Sequence, residues 1–496
     1  MRRCCQKIAC VAAVLGMAAA CGALPARGED GAGAVPRVWS LEDAIAQALE
    51  HNLDLARGAL GVEAGALEAE RAREAVRGIR VAPAGAAETG DRSSLWKAGL
   101  ETSATLPWGT RVGAGVTASQ VDLDGADMTR RAEVSVSVSQ PLFRNFGTLM
   151  RDEPAVLAAE SLRAARRAWE RDRSALALEV ARTFEELVCR TRQLECNEAQ
   201  AGLLERLEAL AEVRERRGRA SRTEVLRLGL QRGEAASRIE TGRAQLAAGC
   251  EAFADLLGLP KDTAFELLPP PLPDLGETPP EEAVALALRE RPDYAQALDD
   301  IASADRQARI ARRALLPGLA LTARHSLYGE DAAWSDAARF DETDWRIGLE
   351  GAVNLDVREA RLGARKAETE AEARRRAEEI VVRRLALEVH AAQTEYRRAR
   401  RERELSRENL ALADRRAELA RALFEAGRGT ADAVSDAEAD ALSARLRELD
   451  AQRAASTAAY ALLHALGTLV PAPPDLLATA PAAPVPAHDP ATGDAP

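Results

Sequence analysis

Residues Arg131–Gly147, RAEVSVSVSQPLFRNFG, contain a strand signal followed by a change to helix. From Ala132 to Val138, apolar residues at even positions alternate with Glu133 and serines at odd positions. This period of two is typical of a strand with one apolar and one polar face. Pro141 ends the pattern because proline has no backbone N–H to donate. Since a long Ala/Leu/Glu/Arg helix follows, the stretch predicts the junction between a β-barrel and a helical tube.

The composition favours long helices over a single large core. Aromatic residues make up 3% and charged residues 29% of the 496 residues, and the net charge is −11. Such usage is typical of long helices and coiled-coil packing. Arginine and glutamate alternate along the predicted helices, so no basic patch indicates nucleic acid as a partner.

The first 26 residues have the pattern of an export signal. Basic residues at positions 2, 3 and 7 precede the apolar run Ile8–Ala20, which is about as long as a signal-peptide core. Two cleavage sites remain open, between residues 20 and 21 or between residues 26 and 27. Cys21 is a candidate for lipidation in the first case, although it lacks the leucine usual three residues earlier.

No catalytic or metal-binding motif is found in the sequence. The five histidines are scattered, and HExxH, GxSxG and phosphate-binding glycine loops are absent. Cys189 and Cys196 lie about 10 Å apart along one predicted helix, too far for a disulfide. With Cys250, we interpret them as core residues. We therefore expect no enzyme activity, no cofactor and no metal.

Residues 39–260 predict one helix–hairpin–helix unit. Ser40 is a good N-cap, with Asp43 three positions on. The helical pattern that follows continues to about Arg80, where prolines and glycines break it. Strands are predicted at about 96–119, with a kink at 107–109, and at about 131–142. Long helices follow at 152–218 and 221–257.

Residues 280–470 repeat this arrangement after a Pro-rich linker at 261–279. Strands are predicted at about 319–328 and 345–355, followed by a helix at 359–424 and a return helix ending near Gly467. Residues 471–496 are rich in proline and alanine, which predicts a disordered tail. Two copies of helix, β-hairpin, long helix, turn and helix therefore account for the chain.

The predicted strands have two features of membrane barrels. They and their loops hold eight of the 17 aromatic residues, as expected for the interfacial girdles of a barrel. Recruitment of aromatics by any β-segment is the simpler alternative. Four strands are fewer than the eight of the smallest bacterial barrels, and unpaired edges are not tolerated in lipid. The sequence thus predicts an oligomer that pools its strands.

Together these features resemble the TolC-like outer-membrane efflux family, over roughly Trp39–Leu469. The resemblance rests on a set of segments that occur in this order, partly twice: LEDAIAQALEHNLDLA (41–56), VSVSQPLFRNFG (136–147), the turn Gly218-Arg-Ala-Ser221, ERPDYAQA (290–297), LLPGLALTA (315–323), the turn Gly427-Arg-Gly-Thr430 and LHALGTL (463–469).

The resemblance implies a mostly α fold with membrane β-hairpins. It implies a homotrimer in which each chain gives four strands to a twelve-stranded outer-membrane barrel, on a long α-helical cylinder in the periplasm. It further implies a passive exit duct for substrates that an inner-membrane pump and a periplasmic adaptor deliver. Drug or metal efflux and type I protein secretion remain open.

The resemblance also implies a site at the periplasmic tip. The turns with Gly218 and Ser221 and with Gly427 and Thr430 would dock the adaptor. Asp432 and Asp436 would form a threefold acidic ring that gates the pore and favours cations. The simpler alternative is that both acids merely solvate a helix end, where Asp432 also suits the helix dipole.

A periplasmic coiled-coil adaptor or structural protein is the alternative from another class. In that case the alternating stretches would be soluble β-structure. An adaptor typically has one helical hairpin within a compact β-rich domain, whereas this chain has two hairpin-then-helix units. The repeat therefore favours the channel.

Overall fold

The computed structural model describes residues 37–89, 93–123, 128–218, 221–276, 278–352, 357–426 and 428–478. The chain divides into two units, residues 1–37 and 38–496, and the following account concerns the second. The predicted leader with Cys21, the end of the fourth predicted strand, Gly427 and residues 479–496 of the predicted tail lie outside the described residues.

Short helices, strands and two long helices follow one another in the first half. Ser40 caps the first helix as predicted, because its Oγ accepts the backbone N–H of Asp43 at 3.2 Å. The elements are β1 (Arg37–Trp39), α1 (Leu41–His51), α2 (Leu53–Arg77), β2 (Arg80–Thr89), β3 (Ser93–Thr105), β4 (Arg111–Leu123), β5 (Thr129–Pro141), α3 (Thr148–Arg216) and α4 (Arg222–Leu257).

The second half has a similar order but fewer strands. Its long helices match the predicted bounds to within a few residues. The elements are β6 (Phe265–Leu267), α5 (Pro280–Glu290), α6 (Pro292–Arg313), β7 (Gly318–Asp331), α7 (Trp334–Ala337), β8 (Glu342–Ala352), α8 (Arg358–Glu425), α9 (Ala431–Leu466) and α10 (Pro474–Leu477).

Six strands form one sheet in the order β2-β3-β4-β5-β7-β8, and every neighbouring pair is antiparallel. Strand β5, which carries the alternating Val/Ser pattern, lies in the middle. Val136 is level with Ala114 of β4 and His325 of β7. The strictly alternating strand is therefore central, and β2 and β8 are the edges.

The number of strands differs from the sequence prediction. The predicted strand at 96–119 contains two strands, because the kink is a full turn in which the Leu106 N–H donates to the Thr110 carbonyl at 2.7 Å. Gly109 has φ +83° there, a conformation that favours glycine. Residues 80–89, where the sequence analysis expected only a break after the helix, form β2, which contains Pro83 and pairs on one side only within the described residues.

The helices pack side by side as one layer. Helix α3 contacts α2 and α4 on one side and α6 and α9 on the other, and α8 packs against α6 and α9. Across the layer, α2 and α4 therefore lie at one edge, beside α3. Helices α6 and α9 come next, and α8 lies at the other edge. Among the described residues, no helix is both long and apolar enough to cross a membrane.

A cluster of aromatic residues forms the main helical core where α1, α3 and α4 meet. Phe184 and Phe253 are fully buried with ring centroids 6.1 Å apart, and Phe253 lies 5.2 Å from Phe265 of β6. Trp39 joins the same cluster. The short two-stranded sheet of β1 and β6 is therefore held by packing against the long helices.

The chain beyond α9 is held by a buried arginine. Arg167 of α3 is 1% exposed and its Nε donates to the Leu476 carbonyl at 2.8 Å, while Nη1 pairs with Asp299 at 2.9 Å. Leu476 itself is buried. Residues 471–478 therefore differ from the predicted disordered tail, because an unpaired buried guanidinium would be costly and these carbonyls satisfy it.

A buried carboxyl lies between α3 and α9. Glu185 is 4% exposed, bonds to Ser456, and leaves Oε1 without a hydrogen-bond partner among the described residues. Burial raises the pKa of Glu185 to about 7, and the hydrogen bond with Ser456 offsets only part of this rise. The native state therefore binds this proton more tightly than the unfolded chain does.

We expect the Glu185→Gln variant to be more stable than the wild type above pH 7, by about 1–3 kcal/mol. Between about pH 4.5 and 7 the native state holds the extra proton, so wild-type stability falls as the pH rises through this window. The difference should vanish below pH 4.5. Thermal unfolding midpoints across this pH range measure it.

Glu186→Gln is the matched control, because Glu186 is half-exposed and pairs with Arg190 on the same helix. The Glu186→Gln variant should not become more stable relative to the wild type as the pH rises. Parallel pH profiles for the two variants would show that the burial of Glu185 is not the cause.

Candidate functional site

The first candidate turn joins α3 and α4. Gly218 has φ +70° after the last turn of α3, and no neighbouring atom lies within 4 Å of a Cβ added there. Ser221 then caps α4, since its Oγ accepts the Glu224 N–H at 3.2 Å. Local backbone geometry therefore explains both residue types at this turn.

The second candidate turn joins α8 and α9 and lies beside the first. Thr430 caps α9 by accepting the Ala433 N–H at 3.3 Å. One apolar cluster packs the two helix pairs together, and the Arg214 guanidinium lies 3.9 Å from the centre of the Phe424 ring. The cluster consists of Leu204, Leu207, Ala211, Leu228, Ala235, Phe424, Ala431 and Val434.

Both predicted acids at this end pair with one arginine. Arg227 of α4 lies 3.5 Å from the Asp432 carboxylate and 3.1 Å from that of Asp436. All three side chains are between about two-fifths and half exposed. The Oδ1 of Asp432 is buried without a hydrogen-bond partner among the described residues. The acids therefore do more than solvate a helix end, because they link α9 to α4 through Arg227.

The sequence analysis missed Arg227, although a signal existed. Arg227 lies nine residues after Gly218, as Asp436 lies nine residues after Gly427. Equal distances from two equivalent turns place the residues at the same level of adjacent helices. A search for opposite charges at matching repeat positions would have found this pair.

Two further contacts hold α9 near the turns. Ser435 donates to Gln231 of α4 at 2.8 Å, and Arg421 of α8 pairs with Glu438. The end of α9 is thus connected by polar side chains to the helices on both sides.

The sheet presents one continuous apolar face. Cross-strand register places apolar residues of all six strands on the same side, and many are 40–75% exposed. The opposite face carries serines and charged residues, such as the Glu133–Arg324 pair at 2.9 Å. The largest exposed members of the apolar face are Val81, Trp96, Leu100, Val116, Val136, Leu321, Leu327, Trp345, Ile347 and Leu349.

Aromatic residues lie at both ends of this sheet. At the loop end, Trp96 contacts Trp334 of α7 edge-on with centroids 6.1 Å apart, and Arg130 lies over the same ring. At the helix end, Trp108 is 67% exposed and Phe143 and Phe146 are each 47% exposed. An apolar band between two aromatic levels is the arrangement of membrane-spanning sheets.

Among the described residues, no group of three or more His, Cys, Asp or Glu side chains is placed to hold a metal ion. The described cysteines Cys189, Cys196 and Cys250 are free thiols, and burial raises the pKa of each, Cys189 to about 11. The thiols are therefore kept protonated in the core.

The described residues form a mostly helical fold with a β-sheet portion that has one exposed apolar face. Residues 283–468 match the sequence profile of the family described as outer membrane efflux protein. In this part, which is less than half of its length, the chain is therefore similar to the outer membrane efflux protein family.

Solved outer-membrane channels have the same fold. The channel OprN is 18% identical, with a TM-score of 0.67 over 86% of this chain and 89% of that one. VceC from Vibrio cholerae is 17% identical, with a TM-score of 0.67 over 86% and 96%. The open state of MtrE from Neisseria gonorrhoeae is 16% identical, with a TM-score of 0.61 over 87% and 89%. The curated protein sequences gave no match.

Proposed function

We propose that three copies of this chain form the exit duct of a tripartite efflux or type I secretion system in the outer membrane. The sheet lies in the outer membrane and the helices extend into the periplasm. Substrates delivered by an inner-membrane pump through a periplasmic adaptor pass through passively. The observation that carries this proposal is that the chain is open along both sides, in its sheet and in its helical layer.

The sheet has two open edges. Strands β2 and β8 each pair on one side only within the described sheet. A row of unpaired backbone groups cannot be left in lipid, because no water is present to bind them. Pairing the β8 edge of one copy with the β2 edge of the next satisfies both rows.

The helical layer has matching open edges. On α8, Leu405, Leu412 and Leu419 are 57–63% exposed at heptad spacing. On the opposite edge, Leu53, Leu60 and Leu67 of α2 are 62–82% exposed at the same spacing, and α4 adds Leu226 and Leu230. Leucines at heptad spacing are typical of a seam between two helices. Joining these edges between copies closes a tube.

The chain is organised in this proposal as two repeats, residues 39–260 and 280–470, joined by the linker 261–279. The turns at Gly218 and Ser221 and at Gly427 and Thr430 form the periplasmic tip and dock the adaptor. The Asp432, Asp436 and Arg227 side chains of three chains together carry a charge of −3, which favours cations at the level of this group.

The apolar sheet face argues against the alternative of a soluble periplasmic adaptor. A soluble protein rarely exposes so many large apolar side chains on one sheet. The solved structures with this fold are outer-membrane channels. The channel is therefore the better account.

The native mass of the particle extracted from outer membranes in mild detergent tests this function. We expect three times the mass of the processed chain. A monomer that is released without detergent would overturn the channel and favour the adaptor.

We expect Val136→Arg to impair assembly and Ser137→Arg to leave it intact. Val136 lies on the apolar face, where each buried charge costs about 2–4 kcal/mol at the bilayer centre, three times over in a trimer. Ser137 lies on the polar face next to Arg324 in register, so its substitution should change conductance instead. Trimer yield and single-channel current measure both. Equal behaviour of the two variants would mean that the faces are wrongly assigned.

We expect Arg227→Ala to shift the tip toward the open state. Three ion-paired arginines at about 0.5–1 kcal/mol each give roughly a 10- to 100-fold shift of the closed-to-open equilibrium. Single-channel open probability in planar bilayers measures this. Asp436→Asn should act in the same direction, and the double variant should add little.

Arg222→Ala is the control, since it removes the same charge at the same tip, and Arg222 has no ion-pair partner among the described residues. An equal opening in both arginine variants would attribute the effect to net charge and contradict the role of the Arg227 pair.

A further inference from the structure

The first half of the chain supplies twice as many sheet strands as the second half. Between α2 and α3 lie four strands, β2 to β5, whereas between α6 and α8 lie only β7 and β8. We propose that three copies close an eighteen-stranded barrel, wider than the twelve-stranded barrel implied by the family resemblance. This proposal rests on the trimer of the proposed function and names the edge that each copy offers to the next.

The two additional strands are long enough to be part of the wall. Strands β2 and β3 have 10 and 13 residues, and a tilted membrane-crossing strand needs about 9–11. Strand β3 pairs with β4 along its whole length, from Ser93 opposite Leu123 to Thr105 opposite Arg111. The sheet therefore continues without a break from β4 to its edge.

The apolar face continues across these strands. Register places Val81 and Pro83 of β2 on the same side as Leu100 and Trp96 of β3 and Val116 of β4. The charged residues of β2 and β3 all lie on the opposite face, with the lumen-facing serines: Arg80, Glu88, Lys97 and Glu101. A hairpin outside the membrane would not need this separation of apolar and charged residues.

Strand direction also allows the ring to close. All neighbouring strands are antiparallel and the sheet has an even number of strands, so β2 and β8 run in opposite directions. A second copy can therefore add its β2 to β8 as another antiparallel pair. Nearly all of β8 is exposed, in accord with an edge that awaits a partner.

The strand count fixes the width of the barrel. With a strand spacing of about 4.8 Å and a tilt of about 40°, eighteen strands give a backbone-to-backbone diameter of about 36 Å, against about 24 Å for twelve. The cross-section is therefore roughly twofold larger at the outer membrane. Such a lumen admits bulkier cargo than a twelve-stranded barrel does.

Cysteine pairs across the contact between copies test this proposal. One cysteine, Gly348→Cys, lies on the polar face of β8 and is present in every double variant. The second cysteine replaces one residue on the polar face of β2 or, in the matched series, one residue on the polar face of β4. Mild oxidation and denaturing gels then show covalent dimers, with the parent chain and each single variant as controls. The β2 series is Ala82, Ala84 and Ala86, and the β4 series is Gly115, Thr117 and Ser119.

We expect covalent dimers in the β2 series and none in the β4 series, in particles of trimer mass. Dimers in the β4 series, or in neither series, from particles of trimer mass would overturn the eighteen-stranded barrel and leave the proposed function intact. Particles of monomer mass would overturn the proposed function itself.

Electron microscopy of the unmodified trimer gives a second measurement that no substitution can disturb. Viewed along the threefold axis, the barrel wall should measure about 36 Å across. A wall of about 24 Å would overturn the proposal.

Discussion

A sheet that lies in lipid must satisfy every backbone N–H and C=O within protein, because hydrocarbon offers no hydrogen bonds. In this chain the sheet has an exposed apolar face and two edges that are open within the described residues. The apolar face favours membrane, and the open edges are costly there. The two properties are compatible only if another strand covers each edge. A second copy of the chain is the natural source, since its complementary edge has the required direction.

The same constraint affects the passage between sheet and helices. Where β5 ends at Pro141, backbone groups leave the ladder and need other partners. The Leu142 N–H donates to the Leu319 carbonyl at 2.8 Å, and the Gly147 N–H donates to the Trp108 carbonyl at 3.1 Å. Arg313 of α6 donates to the Phe146 carbonyl at 2.8 Å. Strand ends, turn and helix thus form one hydrogen-bonded joint.

The sequence predicted the elements whose signals are local and regular. The Val/Ser alternation located β5, Pro141 its end, and Ser40 the cap of the first helix. Ser221 and Thr430 were expected only as turn residues, and the structure shows that they cap α4 and α9. Strand β2 was missed because its alanines, Pro83 and Gly85 show no contrast between faces. Only the register with β3 reveals that Val81 belongs to the apolar side.

Side chains that act between distant segments were also missed. Arg227 meets Asp436 across 209 positions of sequence, and Arg167 meets the Leu476 carbonyl across 309. Neither pairing follows from the period of a single helix. The family resemblance pointed to the two acids at the tip, whereas their shared partner Arg227 could be found only from the packing of α4 against α9. A charge on a long helix is common, so only its position relative to other helices gives it meaning.

The unequal strand numbers of the two halves have a consequence for symmetry. The two halves contribute similar sets of long helices, so a tube of three chains would approach sixfold symmetry. Four strands from one half and two from the other allow the sheet only threefold symmetry. The joint at Gly147 would therefore connect two cylinders of different symmetry, and equivalent helices of the two halves would meet the sheet in different surroundings. Pseudo-equivalent positions in such a channel are free to diverge in role.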